Sequence, residues 1–311
     1  MKSRICELFD IEYPIVQGGM AWVSDAHLAA AVSEAGGLGV IAAGNAPGSW
    51  VKEQIDILRT KTDKPFGVNI MLLSPFKEEV ANILADEKVP VIITGAGNPA
   101  EYIELWKKSG AKIAPVVASR ALAIRMEGMG VDAVVAEGCE AGGHIGELTT
   151  MVLTPNIVKS VSIPVISAGG IHDSKTALAA FVLGADGIQV GTRFILATEC
   201  TTHQEYKNKI IKSKDIDSKV TGRVTGHPVR LIRSPLVRQM AKAEYQENAV
   251  ETLEKLGEGS LRAAVVDGDI KKGSFMAGQV GCLLDGEHSA KEIIEDIFDD
   301  AKFKAIIETL S

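Results

Sequence analysis

Short, nearly unbroken apolar runs recur along the first two-thirds of the chain, and helical patterns separate them. The runs are Ile15–Met20, Leu38–Ala43, Phe66–Leu72, Pro90–Thr94, Lys112–Ala118, Ala133–Glu137, Pro164–Ala168 and Gly187–Thr192. Continuous hydrophobicity over so short a span predicts strands buried on both faces, as in a parallel sheet. Between them, Asp25–Ala35 is predicted helical, with Ser24 as its N-cap and Gly36-Gly37 as its stop. Ser74-Pro75, Asn98-Pro99 and Thr154-Pro155 read as further helix starts, since proline suits a first turn, and Glu78 and Glu79 complement the helix dipole. Asp173-Ser174 caps a helix running to Leu183 and closed by Gly184.

Eight strand–helix units in about 200 residues predict an α/β fold of the TIM (β/α)8 barrel type. A doubly wound sheet is the alternative. Gln17-Gly18-Gly19-Met20 does not match the Gly-x-Gly-x-x-Gly fingerprint that a dinucleotide-binding sheet carries after its first strand. Beyond the eighth strand the pattern changes. Residues 198–281, with an amphipathic Asn248–Leu256 and a turn-rich Thr221–Pro235, predict a mainly helical insertion over the C-terminal mouth of the barrel, where such enzymes build their sites. The expected division is a barrel over 1–197, a lid and docking insertion over 198–281, and a C-terminal piece over 282–311. In the last, Ala290–Leu310 forms an amphipathic helix packed back on the barrel.

The residue content, 46% hydrophobic and only 5% aromatic, suits close helix-on-strand packing. Met1-Lys2-Ser3-Arg4-Ile5-Cys6 shows no signal-peptide pattern, and no apolar run reaches the ~18 residues of a membrane span. Cys6, Cys139, Cys200 and Cys282 are too scattered for metal-ligand spacing. These features predict a cytoplasmic protein with free thiols, no metal and no membrane partner. A formal charge of −7 argues against nucleic acid. Between Gln204 and Lys242, however, ten basic residues (Lys207, Lys209, Lys212, Lys214, Lys219, Arg223, Arg230, Arg233, Arg238, Lys242) meet three acidic ones, a local balance of +7. This segment 204–242 is either a solvated face or a dock for an acidic partner.

Candidate chemistry lies at the strand ends. Glu137-Gly138-Cys139-Glu140-Ala141-Gly142-Gly143-His144 follows the sixth strand, and acid/base groups on a glycine-softened loop there are typical of a barrel site; the alternative is a surface turn with an incidental histidine. Ser167-Ala168-Gly169-Gly170-Ile171 ends the seventh strand and Val190-Gly191-Thr192 the eighth. Exposed amides on such loops form the phosphate site of barrels, unless they are tight turns alone. Gly18, Gly19 and Met20 end the first strand. They allow a flat heterocycle to approach backbone at the mouth, and Asn69, polar in an apolar strand, offers an amide that both donates and accepts. Gln189 presents the same argument less strongly.

Together, Gln17-Gly18-Gly19-Met20, Asn69, the Glu137–His144 run, Ala168-Gly169-Gly170-Ile171 and Gln189-Val190-Gly191-Thr192 resemble the flavin-dependent nitronate monooxygenase superfamily. Ile145-Gly146-Glu147-Leu148-Thr149-Thr150-Met151, Gly226-His227-Pro228-Val229-Arg230 and Ser274-Phe275-Met276-Ala277-Gly278-Gln279 further resemble type II enoyl-acyl-carrier-protein reductases. The resemblance covers essentially the whole chain. It implies one non-covalent FMN with its phosphate on Gly169, Gly170, Gly191 and Thr192 and its ring near Gly19, Met20, Asn69 and Gln189; Gly18, Glu137 and Ala168 complete the cofactor-binding set. His144 falls on the superfamily's catalytic histidine, NADH or NADPH is the implied hydride donor, and acyl carrier protein is the implied partner, with a homodimer allowed. The expected activity is reduction of a trans-2-enoyl thioester. The alternatives are a nitronate monooxygenase using oxygen, with His144 as base, and a flavin-binding barrel without turnover. The matching motifs assign no residue to stabilise the N1 region of a reduced flavin.

Overall fold

The computed structural model describes residues 3–299 and 301–303. Nine strands run through the first 190 residues: β1 Ile15–Gln17, β2 Gly39–Ala42, β3 Phe66–Met71, β4 Val91–Gly95, β5 Lys112–Val117, β6 Val134–Glu137, β7 Gly143–His144, β8 Val165–Ala168 and β9 Gly187–Val190. All except β7 pair in parallel, in the order β1-β9-β8-β6-β5-β4-β3-β2. A parallel bridge between Val16 and Leu38 joins the two ends. Gln17, fully buried, fastens that seam with its side chain: Nε2 donates to Val40 O at 2.9 Å and Oε1 accepts from Val40 N at 3.3 Å. The chain is therefore a TIM barrel, and its eight barrel strands are the eight apolar runs of the sequence.

Burial on both faces follows from two sets of packing. Val16, Val40, Ile93, Val135 and Ile166 share one core cluster inside the barrel, and Ile5 and Phe9 of the helix Arg4–Phe9 join it from below. Larger clusters lie between the strands and the surrounding helices.

The helix after β1 spans Ala26–Glu34, and its N-cap is Asp25, whose carboxylate accepts from His27 N and Leu28 N. Ser24, expected to be the cap, is buried instead; its Oγ accepts from Met20 N at 3.0 Å and donates to Gly18 O at 3.1 Å, shaping the loop above β1. Ser74-Pro75 forms a turn, and the helix itself begins at Lys77. Thr154-Pro155 does not start a helix, because it lies inside Thr150–Val158. Pro155 is tolerated there since the carbonyl it deprives of a partner belongs to Met151, which is exposed to water. Asn98 and Asp173 cap their helices as expected.

Past β9 the chain forms the helices Gln204–Ile211, Pro235–Ala243, Ala249–Gly257 and Ser260–Val265 and a hairpin of β10 Ser218–Thr221 and β11 Val229–Ile232. The hairpin was not expected: Thr221–Pro235, turn-rich in sequence, contains β11, which pairs antiparallel with both β10 and β7. The helix Ala290–Ile297 packs against Ala26–Glu34 and Ser174–Val182. It is shorter than the expected Ala290–Leu310. Its C-cap, Phe298, leaves helical geometry and turns its ring onto Tyr13, Phe181 and Phe303. Residues 304–311 lie outside the described residues. Among the described residues, no helix is long and apolar enough to cross a membrane, and no cluster of His, Cys, Asp or Glu could hold a metal.

Candidate active site

The loops at the C-terminal ends of β1, β3, β6, β8 and β9 converge, and glycine lets them do so. Gly18 N donates to Val190 O at 2.9 Å, and a Cβ on Gly18 would stand 3.4 Å from Gly191 Cα, so the first and last barrel loops run in contact. Met20 Sδ would meet a Cβ on Gly191 at 3.5 Å. A side chain on Gly19 would overlap the Asn69 side chain. Asn69 pairs in register with Ile93 of the inner core, which places it on the inward face of β3, at the mouth.

On the opposite wall the same reasoning groups three residues. Glu137 pairs with Ala168, and Ala168 with Gln189, so all three share the inward face in one row above the inner core. Gln189 Oε1 is buried and has no hydrogen-bond partner. Glu137 is half-buried, and burial alone pushes its carboxyl up to about 7. An unpaired buried polar group costs about 1–3 kcal/mol, so Gln189 Oε1, with the desolvated Glu137 carboxyl in the same row of a concave rim, marks a place for a ligand's polar edge.

Beside this row, Gly169 and Gly170 adopt φ of +91° and +77°. Gly138 N donates to Ala168 O at 2.9 Å, and a Cβ on Gly169 would lie 2.8 Å from Gly138 O. Thr192 is buried, and its Oγ1 accepts from Gly278 N at 2.8 Å, which leaves its own proton to donate. Positive-φ glycines with a hydroxyl nearby suit a phosphate that needs amide and hydroxyl donors. These are the observations a flavin mononucleotide must satisfy, and the residues fit it.

His144 is exposed on β7, opposite Val229 of β11. Partial desolvation by the surrounding walls lowers its pKa, and charge repulsion from His227 lowers it further. It is therefore neutral at physiological pH and carries one N–H and one lone pair. Cys139 is pushed up by burial and stays a thiol.

Two functional contacts escaped the sequence. The Glu140 carboxylate accepts from Thr150 N at 3.0 and 2.9 Å and from Thr150 Oγ1 at 3.1 Å, while Thr150 Oγ1 also lies 2.8 Å from Gly169 O. Through Thr150, Glu140 thus ties the His144 loop to the loop after β8, and Gln279 N reaches Glu140 O at 2.9 Å from above. Arg230, counted with the surface charges, is buried and donates to Cys139 O.

That basic segment is not one surface. Lys207 is 4% exposed and holds Ala197 O and Glu287, at 2.9 and 2.8 Å. Arg223 pairs with Glu147 and Arg233 with Asp217. Lys212, Lys214, Lys219, Arg238 and Lys242 remain exposed without a carboxylate within ion-pair distance among the described residues.

A family model described as "Nitronate monooxygenase" matches residues 2–83 and 74–300. A probable nitronate monooxygenase of Staphylococcus aureus is 33% identical, covering 96% of this chain and 97% of its own. A (3aS,4S,5R,7aS)-5-hydroxy-7a-methyl-1-oxo-octahydro-1H-indene-4-carboxyl-CoA dehydrogenase of Mycobacterium tuberculosis is 30% identical, covering 97% and 96%. Among solved structures, FabK from Thermotoga maritima is 49% identical with a TM-score of 0.96, covering 100% of this chain and 98% of that one. A nitroalkane oxidase from Streptomyces ansochromogenes is 28% identical with a TM-score of 0.87, covering 99% of each.

Proposed function

The chain belongs to the nitronate monooxygenase family, whose members are flavin-dependent oxidoreductases, and within it we propose an FMN-dependent enoyl-acyl-carrier-protein reductase. The observation that carries this reading is the full-length similarity to FabK at 49% identity, well above the 33% and 28% of the nitronate- and nitroalkane-oxidising relatives.

In this reading Gly169, Gly170, Gly191 and Thr192 hold the phosphate of FMN, and Gly18, Gly19, Met20, Asn69, Glu137, Ala168 and Gln189 hold its ring and ribityl chain. When bound, the flavin supplies a hydride equivalent taken from NADH or NADPH. Neutral His144 directs its N–H at the thioester oxygen, where negative charge grows as the β-carbon is reduced; a preorganised donor there acts most strongly in a site shielded from water. Protonation at the α-carbon completes the reduction. His144 is placed to relay that proton from water, taking one up at its free nitrogen as it releases its N–H, so that the ring ends neutral as it began. Glu137, its carboxyl raised to about 7 by burial, donates in its protonated form to the ligand edge that Gln189 also meets. Residues 198–281 serve as lid and dock, and the helix Ala290–Ile297 closes the barrel side. The partner is an acyl carrier protein in the cytoplasm, met by the exposed lysines and arginines of 204–242.

A second reading is favoured by the family model and the Staphylococcus relatives: a nitronate monooxygenase, in which the free lone pair of neutral His144 takes a proton from an acidic carbon. Steady-state turnover of crotonyl thioester with NAD(P)H, measured against an alkyl nitronate with oxygen, separates the two. Preferred turnover of the nitronate overturns the reductase reading.

A further inference from the structure

Arg230 is 6% exposed and stands in β11 directly opposite Gly143. Its Nε and Nη2 donate to Cys139 O at 2.9 and 2.8 Å, and Nη1 donates to Ser218 Oγ at 2.8 Å. One residue therefore grips both ends of the segment 139–143, by its side chain at Cys139 and by its strand pairing at Gly143. His144 is the next residue.

Among the described residues no carboxylate lies within ion-pair distance of the guanidinium, and Glu140 acts on it only as a more distant charge. Glu140 directs its carboxylate to Thr150 and Glu147 pairs with Arg223. The other largely buried cations do have one: Lys207 has Glu287 and Arg193 has Asp296. A buried cation satisfied only by neutral acceptors is costly. A hydrophobic residue would pack β11 more cheaply but could not hold a carbonyl with two parallel N–H groups. Gly142 and Gly143 make the segment intrinsically loose, so an external restraint is what fixes the direction of His144.

We propose that Arg230 is a positioning residue, which fixes His144 by clasping segment 139–143 at both ends. The inference rests on His144 being the acid/base group of the proposed function. Arg230 itself touches no reacting atom.

The test is a double-mutant cycle in the flavin-loaded enzyme. Arg230→Met keeps the stem and removes the fork. It should slow the half-reaction with the electron acceptor about 10²-fold, the usual cost of a catalytic group displaced by about an ångström, while NAD(P)H-driven bleaching stays within about threefold. On a His144→Ala background it should cost less than about threefold more, since the residue it positions is gone. Arg230→Lys, which keeps a cation but not the fork, should fall between, and it takes the same measurements should Arg230→Met fail to fold. Full additivity with His144→Ala, or equal losses in both half-reactions, overturns the proposal.

A readout independent of turnover separates this from the functional reading. In histidine-labelled protein the His144 ring resonance, identified by its loss in His144→Ala, should be sharp in the parent and broadened or split in Arg230→Met. An unchanged resonance overturns the clasp even if the enzyme reduces enoyl thioesters. A changed one supports it even if the true acceptor is a nitronate.

Discussion

Glu137 and Gln189 flank Ala168 in a single register row, so two long polar side chains stand on either side of one methyl group at the inner rim of the barrel. Gln189 Oε1 has no partner there, and burial alone acts on the Glu137 carboxyl. This arrangement destabilises the flavin-free protein and favours whatever ligand supplies the missing partners. Gln189→Met, close in volume and without the orphaned oxygen, should stabilise the flavin-free protein by about 1 kcal/mol while weakening FMN binding. Thermal unfolding with and without FMN reads both. If both fall together, Gln189 is only a packing residue.

Glu137 gives a pH dependence with a definite sign. Its folded pKa of about 7 lies above the ordinary 4.5, so the folded state holds a proton that the unfolded chain releases. Its contribution is full below about pH 4.5 and is lost as pH rises through about 7. Relative to Glu137→Gln, the flavin-free parent should therefore lose stability between these limits, by no more than about 3 kcal/mol, and show no further change above. A difference that does not vary with pH in denaturant titrations would mean the carboxyl is solvated.

Gly169 and Gly110 share φ of +91°, but a Cβ on Gly169 would stand 2.8 Å from Gly138 O, whereas one on Gly110 would meet nothing within 4 Å. Gly110→Ala should cost only the strain of a left-handed alanine, about 1–2 kcal/mol. Gly169→Ala should cost more and should also lose FMN. Equal destabilisation with full flavin content would remove Gly169 from the phosphate cradle.

The charges of 204–242 divide by burial. Lys207→Glu should destabilise the fold by about 3–5 kcal/mol, because it places two carboxylates together in a largely buried pair. Arg238→Glu with Lys242→Glu should leave stability near that of the parent and raise KM for an acyl-carrier-protein substrate at low salt, with little effect on a short N-acetylcysteamine thioester. Salt should erase the difference as the Debye length shrinks below about 8 Å. Equal effects on both substrates would make these residues structural.

The barrel was legible in the sequence because a strand buried on both faces writes its own pattern: Val16, Ile93, Val135 and Ile166 could belong to nothing else. The glycine loops were legible because positive φ and close approach need glycine. What escaped depends on partners distant in sequence. Ser24 reads as a cap until Asp25 takes that place, and Lys207 reads as surface charge until Glu287, 80 residues later, is brought beside it. Arg230 meets Cys139 across 91 residues, and β11 is a strand only because β7 and β10 lie along it. Local pattern carries no record of such pairings.

Anaerobic half-reactions test the enoyl-reductase reading most directly. The purified protein, carrying FMN by acid release and chromatography, should bleach on addition of NAD(P)H and regain its yellow colour when a trans-2-enoyl thioester is added without oxygen. His144→Ala should bleach normally but recover about 10²–10⁴-fold more slowly. Recovery with oxygen or a nitronate but not with the enoyl thioester would contradict the reading, as would FAD or no flavin in the released cofactor.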